Sequence, residues 1–97
     1  MPRITPVTGA FTASGSSIAC GAEGDFNVSL SGTFAATVVP ERSFDGGNTW
    51  LPVTYIDGSA ISWTAPMSAV LYEPEKGTLT RLTCTWTSGT VTYRISQ

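Results

Sequence analysis

From Asp25 to Phe44 the chain reads DFNVSLSGTFAATVVPERSF, with apolar side chains falling mostly on every second position. Phe26, Val28 and Leu30 alternate with Asn27, Ser29 and Ser31, the period of two that a half-buried β-strand imposes on its residues. Beyond Gly32, which marks a bend, the same parity runs on through Phe34, Ala36, Val38, Pro40 and Phe44. Pro40 has no N–H to give a ladder, so its strand is expected at a sheet edge or with a bulge there. Arg42 shares the apolar parity, and its aliphatic stem is expected to cover the rim of the core.

The rest of the chain reads the same way, and no helix is predicted. TWLPVTYID is expected as the strand returning from a glycine turn, and AISWTAP as a short strand with Ile61 and Trp63 on one side. AVLYEPEKG carries another apolar run into a polar turn. TLTRLTCTW sets Leu82, Cys84 and Trp86 against threonines and Arg81, and TVTYRIS sets Val91, Tyr93 and Ile95 against Thr92 and Arg94. The tight TSGT between them predicts a C-terminal hairpin. The fold class expected is all-β: a small antiparallel β-sandwich of about seven strands, immunoglobulin-like or jelly-roll-like. Residues 1–17, rich in Thr, Ser and Gly with Pro2 and Pro6, are expected as an extended N-terminal arm, and residues 18–97 as the sandwich domain.

Charge narrows the partners. Only 12% of the 97 residues are charged and the formal net charge is -2, so the basic field used for nucleic acid or anionic membrane is missing. No stretch approaches the roughly 20 apolar residues of a membrane span, and the N-terminus lacks the continuous apolar run of a secretory signal. Synthesis in a cytoplasm is therefore expected, with Cys20 and Cys84 as free thiols.

Ser43, Asp45, Gly47 and Trp50 match the spacing S-x-D-x-G-x-x-W, which resembles the Asp-box of sialidases and other β-proteins. An Asp at a turn entry accepts hydrogen bonds from backbone N–H groups across the turn, and glycine supplies the positive φ. The indole then packs over the hairpin base. The stretch is thus expected as a structural turn, because a sialidase propeller carries several such boxes and needs a far longer chain.

An inventory of reactive groups predicts no enzyme and no cofactor. There is no His, and Lys76 is the one lysine, set in a turn beside Glu75. Asp57, Glu73 and Glu75 would form a carboxylate pair or a weak calcium site only if their loops converged; solvated surface groups are the plainer expectation, with no metal bound. DGGNT lacks the lysine and the helix of a phosphate-binding loop.

Four segments in fixed order, FNVSLSGTF, ATVVPERSFDGGNTWLPV, EPEKGTLTRL and WTSGTVTYRISQ, resemble a group of small virion proteins of tailed bacteriophages. The resemblance spans about Gly24 to Gln97 and departs from the group at Val39–Glu41, where an apolar residue and glutamines are usual. It implies a head decoration or cement protein on the capsid surface, assembled in the host bacterial cytoplasm. It further implies that the protein binds the major capsid protein lattice, commonly as a homotrimer. The alternative is a tail- or fibre-associated β module that binds host-surface glycan, with Trp50, Tyr55 and Trp63 as stacking residues.

Overall fold

The computed structural model describes residues 6–21, 24–55 and 57–97, and in them the chain is an all-β sandwich of two antiparallel sheets. The strands are β1 (Val7–Phe11), β2 (Gly15–Ser16), β3 (Cys20–Gly21), β4 (Gly24–Ser31), β5 (Phe34–Ser43), β6 (Leu51–Pro52), β7 (Met67–Glu73), β8 (Leu79–Gly89) and β9 (Val91–Ser96). The first sheet has the order β1-β9-β4-β7 and the second β2-β8-β5-β6, with β3 also pairing β8. Between the sheets lies a core to which both contribute: Phe11, Phe26, Val28, Leu30, Leu71, Val91, Tyr93 and Ile95 from the first, and Val38, Leu82 and Cys84 from the second. Ile61, outside any strand, closes it.

The alternation explains that core directly. Phe26, Val28 and Leu30 are buried, as are Leu82, Val91, Tyr93 and Ile95, and Trp86 is half-buried at the margin.

The connectivity of the C-terminal strands differs from the hairpin expected. β8 lies in the second sheet and β9 in the first, so the two strands do not pair with each other. Instead β4–β5 and β8–β9 form one long antiparallel ribbon that bends from sheet to sheet. Ser31 stands opposite Thr92 on one side of the bend and Phe34 opposite Gly89 on the other, so both arms cross with the same number of residues. The arms grip each other at the crossing. Thr90 N–H donates to the Thr33 carbonyl at 3.0 Å, and Gly32 and Gly89 adopt φ of 102° and 84°. A Cβ on Gly32 would sit 2.6 Å from the Thr90 oxygen, and one on Gly89 only 2.2 Å from the Thr33 oxygen. A tight turn between two alternating strands is thus a corner of the sandwich, because each arm already has a partner in the other.

Among the described residues nine strands replace the seven expected, and most of the difference lies in the N-terminal segment. Its described part is no arm: β1 pairs with β9 from Val7↔Ile95 to Phe11↔Val91 and inserts Phe11 into the core, while β2 joins the second sheet through β8. β1 is an edge strand, which suits its mixed composition. Residues 1–5 of the expected arm lie outside the described residues. AISWTAP forms no strand; Val38 and Trp63 exchange backbone hydrogen bonds as an isolated bridge, at 2.9 Å each way. The strand returning after the glycine turn shortens to β6, with Val53 N–H donating to the Pro40 carbonyl at 2.9 Å.

Pro40 sits where its missing N–H is harmless. Val38 turns its N–H and carbonyl away from β8, toward Trp63, and Pro40, two residues on, faces the same side, where pairing is short. The register shift of the β5–β8 pair falls instead opposite Ala35 and Ala36, beside the corner, where Thr87 of β8 is the extra residue.

Cys20 and Cys84 are both free thiols, and burial raises both thiol pKa values. The register forbids a bond: Cys20 stands opposite Thr80, while Cys84 lies further along the same strand. At a strand's rise of about 3.4 Å per residue the two are offset by roughly 14 Å along β8, well beyond disulfide reach.

Gly89→Ala is expected to cost more than about 2 kcal/mol, since it adds a left-handed non-glycine residue and a backbone clash at the corner. Chemical denaturation checks this: the unfolding midpoint should fall well below that of Gly15→Ala, where a Cβ meets open space.

Candidate functional site

Four sequence-selected residues come together in the turn after β5. Ser43 is fully buried, and its hydroxyl donates to Asp45 Oδ1 at 2.8 Å while accepting from Gly47 N–H at 2.9 Å. Asp45 Oδ1 also accepts from Thr49 N–H at 2.8 Å, across the turn. Gly46 and Gly47 have φ of 75° and 98°, which lets the chain reverse around these bonds. Trp50 Nε1–H donates to the Gly47 carbonyl at 3.0 Å, locking the indole back onto the loop.

One face of that indole is also occupied. The Arg81 guanidinium lies 4.2 Å from the Trp50 ring centroid, and its Nε donates to Glu41 Oε1 at 2.8 Å. Trp50 is therefore part of a packed cluster on the outside of the second sheet. The arrangement is a braced turn in which donors and acceptors answer one another.

The Thr49 N–H and then the Ser43 hydroxyl stabilise the Asp45 carboxylate and bring its pKa down to about 2. At Asp57 the Ser59 hydroxyl and N–H lower the pKa in the same way.

The three aromatic residues considered for stacking are dispersed. Trp50 is held on Arg81, Trp63 is half-buried against the core beside Val38, and Tyr55 alone stands exposed on a cleft. That cleft, of about 450 Å³, is lined by Arg42, Val53, Thr54, Tyr55, Ile61, Val70, Leu71, Tyr72 and Pro74. Val70, Leu71 and Tyr72 are consecutive, so their side chains leave alternate faces of β7, yet all three border it. The cleft must therefore run along the open edge of β7. It is the seam where the rim of the first sheet meets residues 53–55, which follow β6 of the second.

An ion pair bridges the seam. Arg42 of β5 donates to Glu73 of β7, and Glu73 also accepts from Glu75 N–H at 3.0 Å, which ties the following turn to the pair. Phe44 covers the guanidinium, 4.6 Å from ring centroid to Cζ. Arg42 Nε is buried with no acceptor among the described residues. Glu73, expected at the surface, is buried, so Asp57, Glu73 and Glu75 do not converge as oxygen ligands. Among the described residues no group of three or more His, Cys, Asp or Glu side chains is placed to hold a metal, and no helix is long and apolar enough to cross a membrane.

Tyr72, Val70 and the Arg42–Glu73 pair were not singled out in the sequence. One signal was present: AVLYE is apolar on both parities, which marks a strand with apolar groups on both faces. Nothing local pairs Arg42 with Glu73 across 31 residues.

Compared with protein-family models, curated proteins and solved structures, the chain matches none.

The lowered Asp45 pKa carries a signed prediction. A carboxylate depressed in the folded state adds stability that is present above the unfolded pKa near 3.8 and lost as pH falls toward about 2. Wild type should therefore melt above Asp45→Asn at pH 5 and 6, and the two melting temperatures should converge near pH 2. A second prediction concerns the seam. Glu73→Gln leaves the Arg42 cation without its carboxylate and should cost about 1–3 kcal/mol, whereas Glu73→Gln combined with Arg42→Met should cost less than the two single changes added. Urea unfolding of the four proteins measures that coupling.

Proposed function

We propose that this domain is a structural protein of a bacteriophage virion that decorates and stabilises the capsid by binding the major capsid protein lattice, as a homotrimer. The observation that carries the reading is the apolar rim at the seam: Tyr55, Val70 and Tyr72 are 51%, 65% and 66% exposed around one cleft. Clustered apolar groups of this kind mark a contact surface. The ordered set of four phage-like segments supplies the choice of partner. A braced sandwich also suits the role, because a module that changes little on docking loses little conformational entropy.

A tail or fibre module that binds host glycan is a second reading, favoured by the exposed Tyr55 and Tyr72 on the same cleft, since aromatic faces stack on sugar rings. Trp50 contributes little to it, having one face on Arg81.

The test is co-sedimentation of the intact protein with expanded capsids that lack it. Binding at a copy number close to that of the capsid protein is expected, and Tyr72→Lys should weaken it at least tenfold. Failure to bind capsids, together with retention on a glycan array, would replace the first reading with the second.

A further inference from the structure

The first sheet ends on one side at β7, a seven-residue strand with no backbone partner on its outer edge among the described residues. Natural edge strands are usually guarded by inward-pointing charge, proline, a bulge or a covering loop. β7 has little of this. Its one charged residue, Glu73, is buried and spent on Arg42, and its pairing with β4 runs from Gly24↔Glu73 to Leu30↔Met67 without a bulge. The cleft lies along this edge and presents side-chain room beside an unpaired backbone. These are the two elements of strand addition, in which main-chain hydrogen bonds give affinity and pockets give specificity.

The charge around the edge selects the strand. Asp25 stands opposite Tyr72, Asp57 lies in the turn next to Tyr55, and Glu75 follows the cleft residue Pro74; all three are exposed. Against them stands Lys76, while Arg42 is engaged by Glu73. A second copy pairing through its own β7 would bring two acidic rims together. We infer that β7 is a docking edge for an extended segment of another protein, with alternating apolar and basic residues, which adds as a strand and places an apolar side chain between Tyr55 and Tyr72. The inference rests on the domain being a protein-contact module and is independent of whether that partner is the capsid.

The probe is a capped seven-residue peptide of alternating valine and lysine, compared with the same peptide carrying glutamate for lysine. Hydrogen exchange and NMR titration on the intact chain read the result. The lysine peptide should slow exchange in β7 and shift Tyr55 and Tyr72, binding at least tenfold more tightly than the glutamate peptide. Tyr72→Lys should abolish the binding. Asp25→Lys with Glu75→Lys, both at exposed sites, should reverse the peptide preference while the β7 contact remains. Equal binding of both peptides, protection confined to other strands, or a β7-protected homodimer without peptide would each overturn the inference. If capsids bind the wild type and the charge-reversed variant equally and neither peptide protects β7, this docking mode falls and the capsid reading stands. If the lysine peptide binds as described and capsids do not bind, the reverse holds.

Discussion

The corner formed by Gly32–Thr33 and Gly89–Thr90 is the constraint on which the rest of the sandwich depends. Both arms of the long ribbon change sheets there, and the 2.2 and 2.6 Å approaches leave no room for a side chain. The β4–β5 arm keeps one parity through the corner, burying Leu30 in the first sheet and Val38 in the second, whereas in the β8–β9 arm the extra residue Thr87 moves the buried set from Leu82 and Cys84 to Val91, Tyr93 and Ile95. Any further one-residue slip in either arm would turn an entire face outward. β1, β2, β3, β6 and β7 then attach to the flanks of a ribbon already folded over its own core.

At the far end of β5 the sandwich is closed differently. Arg42 and Glu73 tie the second sheet to the first across the seam, and the Ser43–Asp45 turn follows immediately. The phenyl ring of Phe44 covers the Arg42 side of this polar brace. The same seam leaves β7 with an open edge beside Tyr55 and Tyr72. Rigidity and stickiness thus occupy neighbouring positions. That is a sensible arrangement for a surface that must dock without rearranging, since order already present before binding need not be bought from the contact.

The two polar clusters have separate work. Around Asp45 the Ser43 hydroxyl, the Gly47 and Thr49 N–H groups and Asp45 Oδ1 are matched within the loop, and Trp50 is tied to Gly47 through its ring N–H and covered on one face by Arg81. Such a loop has little left with which to hold a ligand. The seam has an exposed aromatic pair, an unpaired backbone edge and an acidic surround, which makes it the richer surface for recognition.

Much of this was legible in the residues alone, because strand periodicity and turn chemistry are local. The alternation from Phe26 to Val38 and from Leu82 to Ile95 assigned the buried face, Gly32 marked the bend, and the spacing of Ser43, Asp45, Gly47 and Trp50 marked the turn. Pairing was not local. TSGT reads equally as a hairpin or as a corner, and only the presence of β4–β5 as a ready partner decided for the corner. Residues 7–11 carry too weak a pattern to announce a strand; β9 supplied the edge that made them one. The seam belongs wholly to tertiary structure. Arg42 and Glu73 meet, and Tyr55 and Tyr72 come to line one cleft, because segments distant in the chain end at the same rim, and no short-range rule relates residues so far apart.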